Sequence, residues 1–196
     1  MSSSTRFLED WLAALVATPG LTALRDVDEA RRALLDDSVR GVPVVGAFDG
    51  PIVDVGSGGG VPGIPLAVSL PERELTLLES NGRKCDFLSE WAPPNASVVQ
   101  GRAEEQEPDL YGVAVAKALA PPPVAAEWCL PLVRPGGGVV LWVGETADVA
   151  HVARVAEQLG GELADVTAGL LVLRKARPTP AGFPRRTGVA RKRPLR

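Results

Sequence analysis

The sequence predicts an α/β fold, in which a mostly parallel sheet carries helices on both faces and a short helical cap precedes it. Three observations carry this expectation. From residue 51 onward, short apolar runs alternate with helical stretches, the pattern of successive βα units. Between the first such run and the first helix stands a glycine-rich stretch, Asp54-Val-Gly-Ser-Gly-Gly-Gly-Val-Pro-Gly-Ile-Pro65. Ahead of residue 51 the apolar residues recur only at helical spacing.

Taken in order, Phe7, Leu8, Trp11, Leu12 and Leu15 mark a first helix. A second runs from about Asp28 to Val39, entered by acidic residues and carrying Ala30, Leu34 and Leu35 on its apolar side. Strands follow at Ile52 to Val55, Leu75 to Leu78, Val98 to Val99, Val113 to Val115, Val139 to Val143 and Leu170 to Leu173. Helices at Ile64 to Leu70, Arg83 to Trp91, Val124 to Leu132 and Asp148 to Leu159 separate them, stopped by Pro71, Pro93 and Gly160 among others. The stretch from Pro178 to Pro184 is rich in helix and strand breakers and reads as extended or disordered. The expected division is a helical cap at 1–48, a core at 49–176 and a basic, Pro- and Arg-rich tail at 177–196, together forming one domain.

Composition narrows the classes. With 45% hydrophobic and 23% charged residues the chain is that of a soluble globular protein, and no run reaches the ~18 apolar residues of a membrane span. Glu9 and Asp10 follow the first residues closely, unlike a secretory signal, so a cytoplasmic protein is expected. Cys85 and Cys129 stand far apart and outside any C-x-x-C pattern; no metal site or disulfide is expected. Charge is unevenly spread. All 24 acidic residues lie before Arg174, while the segment from Arg174 to the end carries nine Lys or Arg. Such a split suits contact with a polyanion at one end, or a merely solvated tail.

In an open parallel sheet, ligands lie beyond the carboxyl ends of the strands, where the first loop turns into a helix. The glycine stretch occupies that place. Gly56, Gly58 and Gly60 allow positive φ and close approach of a ligand to bare backbone. Two nucleotide fingerprints fit. Gly58-x-Gly60-x-x-Gly63 with Glu79 further on satisfies the dinucleotide pattern, in which the acid binds a ribose. Asp54-x-Gly56-x-Gly58-x-Gly60 equally satisfies the S-adenosylmethionine pattern, and that cofactor also presents a ribose to Glu79. The rest of the chain weighs toward methyl transfer. His151 is the only histidine and sits in an expected outer helix; Tyr111, the only tyrosine, has Val115 rather than a lysine four positions on. Hydride transfer lacks its machinery, whereas an activated methyl needs mainly alignment with its acceptor.

Three further features have both a functional and a plain reading. Gly101-Arg-Ala-Glu-Glu105 follows the third strand, where a loop can meet an adenine or simply start a helix with acids at its positive end. Lys117, at the end of the fourth strand, either contacts a phosphate or cofactor in the cleft or snorkels to the surface. Trp128 and Trp142 read as core residues rather than base-stacking platforms.

The glycine run through Leu66, followed by Leu77-Leu-Glu-Ser-Asn-Gly-Arg-Lys-Cys-Asp-Phe-Leu88 and Arg102-Ala-Glu-Glu105, resembles the bacterial 16S ribosomal RNA guanine-N7 methyltransferases of the RsmG (GidB) type. Glu127-Trp-Cys-Leu-Pro-Leu132, Pro135-Gly-Gly137 and the tail from Pro178 through Gly188, with Lys192-Arg-Pro-Leu195, extend the likeness over most of the chain. Thr22-Ala-Leu-Arg-Asp26 and Asp37-Ser38 carry it into the cap. The resemblance implies a Rossmann-like class I S-adenosylmethionine-dependent methyltransferase with a seven-stranded sheet, the strand near Leu170 to Leu173 running antiparallel. It implies cofactor contacts from Asp54, Gly56, Gly58, Gly60 and Val61, from Glu79 at the ribose, and from Ala103 and Glu104 near the adenine. The acceptor would be guanine N7 in the small-subunit 16S rRNA, with the basic tail on the phosphates.

The chain departs from the family at several positions. Ala116-Lys117-Ala118 stands where Ser-Arg-Ala is usual; lysine keeps the charge without the planar fork, so Lys117 is assigned a positioning or charge role at the cofactor and acceptor. Val143-Gly144 replaces a common Lys-Gly, Leu34 a histidine, and Gly20-Leu21-Thr22 an Asn-Leu-Thr. A second reading is therefore a non-catalytic or altered-specificity RNA- or ribosome-binding paralogue that keeps the cofactor fold.

Overall fold

A computed structural model describes residues 3–196; Met1 and Ser2, at the start of the expected cap, lie outside the described residues. The cap opens with α1 (Ser3–Ala17), whose Trp11, Leu12 and Leu15 are buried, each such side chain contributing about 1.5–3 kcal/mol of hydrophobic stabilisation. Asp26 then caps α2 (Val27–Ala30), its carboxylate accepting from Glu29 N at 2.8 Å. The helix continues through a π-helical segment, Arg31–Asp36, into α3 (Asp37–Val39). The expected single helix from Asp28 to Val39 is thus one stretch with a widened middle. A short helix not expected from the sequence, α4 (Val42–Gly46), closes the cap.

The sheet has seven strands: β1 (Ile52–Val55), β2 (Leu75–Glu79), β3 (Ala96–Gln100), β4 (Tyr111–Lys117), β5 (Val133–Trp142), β6 (Gly161–Thr167) and β7 (Leu170–Lys175). Their order is β3-β2-β1-β4-β5-β7-β6, and only β7 runs against its neighbours, as expected for the last strand. The strand that sequence patterning did not locate is β6. It is an outer edge strand whose residues after Gly161 are all exposed, so it carries no buried apolar stripe to announce it. β5 also starts earlier than expected, because Val133 pairs with Tyr111 before a bulge at Pro135 to Gly137 restores register at Gly138 opposite Val113.

Helices α5 (Gly63–Ser69), α6 (Gly82–Trp91), α7 (Pro122–Cys129) and α8 (Val149–Gln158) cross between strands. α7 ends three residues before the expected Leu132, in a 3₁₀ turn, because Pro131 cannot donate a backbone bond or continue the coil. Period-two alternation sends Val53, Val55, Ala114 and Ala116 to one face of the sheet, against α7 and α8. Ile52, Val113 and Val115 face the other, where α5, α6 and the cap cover them.

Pro178 to Pro184 form neither helix nor strand, in line with an extended reading, and of the two alternatives disorder is set aside because the tail is bonded to the core. Thr179 Oγ1 donates to Asp109 Oδ1 at 2.7 Å, and fully buried Lys175 donates to Leu130 O at 2.8 Å with Asp109 as its ion partner. Burial lowers the Lys175 pKa, with the Asp109 carboxylate opposing. Beyond these anchors α9 (Val189–Lys192) buries Ala190.

Candidate active site

The loop after β1 is held from three sides. From below, fully buried Asp54 accepts from Gly63 N at 3.0 Å, locking the first turn of α5 to the strand. Burial, opposed by hydrogen bonds from Ser57 and Gly63, pushes its pKa up to about 7, and its second oxygen has no partner. From β2, Glu79 Oε2 accepts from Gly58 N at 3.0 Å while Oε1 accepts from Asn81 N at 2.8 Å. From the cap, the Trp11 indole donates to Gly59 O at 3.0 Å, and a Cβ on Gly59 would collide with Leu15 Cδ1.

Above this loop two cavities meet at Gly56. The first, about 70 Å³, lies toward the 3₁₀ turn Ala103–Glu105 and is bounded by Ser80, Ala103, Glu104, Leu119, Trp128 and Arg191. The second, about 270 Å³, lies under the cap between Leu15, Leu21 and Leu34 on one side and Gly56 to Gly59, Val61, Lys84 and Lys117 on the other. Gly58 has φ +57, and a Cβ there would meet nothing nearer than Gly56 O at 3.9 Å. The glycine thus leaves open space over bare backbone, which permits close approach of a ligand.

The residues singled out in the sequence divide between these places. Gly56 borders both cavities, Gly58 and Val61 the second, Ala103 and Glu104 the first. Asp54 and Gly60 border neither: Asp54 lies beneath the loop, and a Cβ on Gly60 would run into Ile64. Glu79 reaches the site through the loop amide it binds. Lys117 borders the second cavity, yet its ammonium is held by the Asp37 carboxylate and by Ala33 O at 2.7 Å, so it ties β4 to the cap. Lys84, at the first turn of α6, carries the other cationic side chain of that cavity.

Three residues that hold the loop or border the cavities were not singled out for the site in the sequence: Trp11, Leu119 and Arg191. Leu119 packs where a Cβ on Gly56 would stand, and follows Ala118, whose φ of +54 turns the chain sharply at the end of β4. Trp142 is core, as expected, and its indole donates to Asp37 O at 2.8 Å. Trp128 is core as well, also as expected, but it in addition lines the first cavity, and its buried Nε1 has no partner. His151 lies outside both cavities, with Nε2 2.7 Å from Leu195 O; Tyr111 sits at the opposite end of β4. Among the described residues no group of three His, Cys, Asp or Glu gathers as a metal centre, and no helix is long and apolar enough to cross a membrane.

One reversed strand in an otherwise parallel sheet, with a bare loop after β1 fastened to the acid ending β2, places the chain among the class I S-adenosylmethionine-dependent methyltransferases. The open backbone at Gly58 and the unpartnered Trp128 indole beside the first cavity suit an elongated nucleoside cofactor. A solved structure of this fold, the Thermus thermophilus 16S rRNA N2 G1207 methyltransferase with AdoMet and guanosine, superposes with a TM-score of 0.55 at 15% identity, over 74% of this chain and 40% of that one.

More narrowly, the chain belongs to the GidB family, rRNA small subunit methyltransferase G, whose family model matches residues 4–162. The ribosomal RNA small subunit methyltransferase G of Synechococcus elongatus is 36% identical over 198 aligned residues, covering 89% of this chain and 82% of the relative. That of Rubrobacter xylanophilus is 39% identical over 173 residues, covering 75% and 66%.

Proposed function

We propose that the protein transfers the methyl group of S-adenosylmethionine to N7 of a guanine in 16S rRNA of the small ribosomal subunit, in the cytoplasm. The carrying observation is the chemistry of the second cavity. Among the described residues its border includes neither a histidine nor a carboxylate, so no imidazole or carboxylate stands there to take a proton from an acceptor. Guanine N7 has an exposed lone pair and no proton to lose, so it matches a site that aligns without general-base catalysis.

In this reading the bare backbone from Gly56 to Gly58 lies under the cofactor, with Val61 beside it. Glu79, already oriented by Gly58 N and Asn81 N, has carboxylate lone pairs remaining for ribose hydroxyls. Ala103 and Glu104 bound the adenine end and Asp54 supports the loop from below. S-adenosylmethionine supplies a methyl already activated on a sulfonium. Leu15, Leu21 and Leu34 supply an apolar wall against which the base packs. Lys117 positions the cap over that site through Asp37, and Lys84 supplies the charge that faces the RNA. The division into cap 1–48, core 49–176 and tail 177–196 follows from these roles, with exposed tail cations such as Arg186 and Lys192 on RNA phosphates.

The test is to incubate the protein and labelled cofactor with small subunits lacking the modification, then map the methyl group. Label on a 16S guanine at N7 is expected. Label elsewhere, or cofactor binding with no transfer to any RNA, would instead select an altered-specificity or non-catalytic ribosome-binding paralogue.

A further inference from the structure

We infer that the C-terminal helix is part of the cofactor site, with Arg191 forming the outer wall of the adenosine pocket opposite Trp128. This rests on the cofactor reading above but takes Arg191 away from the RNA-facing role that the charge of the tail suggests.

The tail is fastened to the rim of the first cavity by the acidic residues that rim supplies. Gly188 N donates to Glu104 Oε1 and Thr187 Oγ1 to Glu105 Oε1, both at 3.1 Å. Arg185 grips buried Glu127 on α7, with Nη2 2.6 Å from Oε2, and also donates to Arg193 O at 3.0 Å, so one guanidinium ties the C-terminal end of α9 to α7. A forked contact to a carboxylate that is 3% exposed fixes orientation as well as position. Ala190 then packs into the core at 1% exposure, which leaves its neighbour Arg191 above the cavity. The Arg191 guanidinium carbon stands 5.1 Å from the Trp128 ring centroid, and both side chains bound the same cavity. This is the spacing of a cation stacked on an aromatic face.

Two observations link this arrangement to a ligand. The Trp128 side chain lines the cavity, and its buried indole N–H has no partner. And the cavity, about 70 Å³ with the tail seated, falls short of the ~300 Å³ at which ligand pockets begin. Entry of an adenosine therefore requires the flexible Arg191 side chain to swing aside and settle on the purine. A planar, weakly hydrated guanidinium stacks well on such a ring.

The experiment is titration calorimetry of the full chain with S-adenosylhomocysteine, without RNA, for the wild type, Arg191→Ala, and Arg154→Ala as an exposed-cation control on α8. Arg191→Ala is expected to weaken binding by about 3- to 30-fold, the range of cation–aromatic contacts from exposed to desolvated, with Arg154→Ala unchanged. As a second readout, S-adenosylhomocysteine is expected to slow tryptic cleavage after Arg191 and Lys192 in the wild type. Equal affinity of Arg191→Ala and wild type, or cleavage indifferent to the ligand, overturns the inference while leaving the cofactor site standing. No binding by the wild type overturns the cofactor reading and this inference with it.

Discussion

The indole N–H of Trp11 donates to the carbonyl of Gly59 at 3.0 Å, joining the first helix of the cap to the middle of the glycine loop across 48 positions of chain. The loop's conformation is therefore held by a helix outside the sheet. Trp11→Phe keeps an aromatic ring but loses the indole's second ring and its N–H, which strands a buried carbonyl. It is expected to cost about 1–3 kcal/mol in urea unfolding and to weaken S-adenosylhomocysteine binding several-fold in calorimetry.

Glu79 works on the loop from the opposite side. Glu79→Ala leaves Gly58 N and Asn81 N without their acceptor and removes the acid offered to the ribose. Affinity for S-adenosylhomocysteine should fall by at least about tenfold, since hydrogen bonds to a charged group contribute ~1.5–3 kcal/mol each. Gly56→Val should do as much by driving a branched side chain into Leu119. Retained affinity in both variants would remove the loop from the cofactor site.

Asp54 makes stability depend on pH in a definite direction. Folded, it holds its proton up to about pH 7, whereas the unfolded chain releases it near the ordinary value of 3.8. Between those values the unfolded state binds fewer protons, so this contribution is full below about pH 4, declines as pH rises, and is gone above about pH 7. Asp54→Asn stays neutral and keeps an oxygen for Gly63 N. Its unfolding free energy should gain on the wild type as pH rises through that window.

The two lysines of the second cavity should separate by assay. Lys117→Ala leaves Asp37 with Arg40 alone and removes the tie from β4 to the cap, so a lower thermal midpoint is expected with kcat reduced through alignment. Lys84→Ala should leave stability within about 0.5 kcal/mol while raising KM for the RNA, and a reversed pattern would return the RNA-facing charge to Lys117.

Much of the framework was legible because it rests on local physics. Strand and helix periodicity marked six strands, and Asp54, Gly56, Gly58 and Glu79 stood out by residue type and spacing in and after the first βα unit, while the antiparallel sense of β7 was expected from the family resemblance. The edge strand β6 was not legible, since an exposed strand carries no buried stripe, and Pro131 shortened α7 against its apolar pattern.

By itself the sequence determined the α/β class, the place of the ligand loop and the acids near it. Only the tertiary structure decided which charges are free. Lys117, at the end of β4, has its ammonium held by Asp37; Arg185 serves Glu127; and Glu104 and Glu105 hold the tail that a composition argument would leave in solution. Pairings of this kind span 58 to 84 positions and depend on where the fold places two side chains, a quantity that no local spacing encodes.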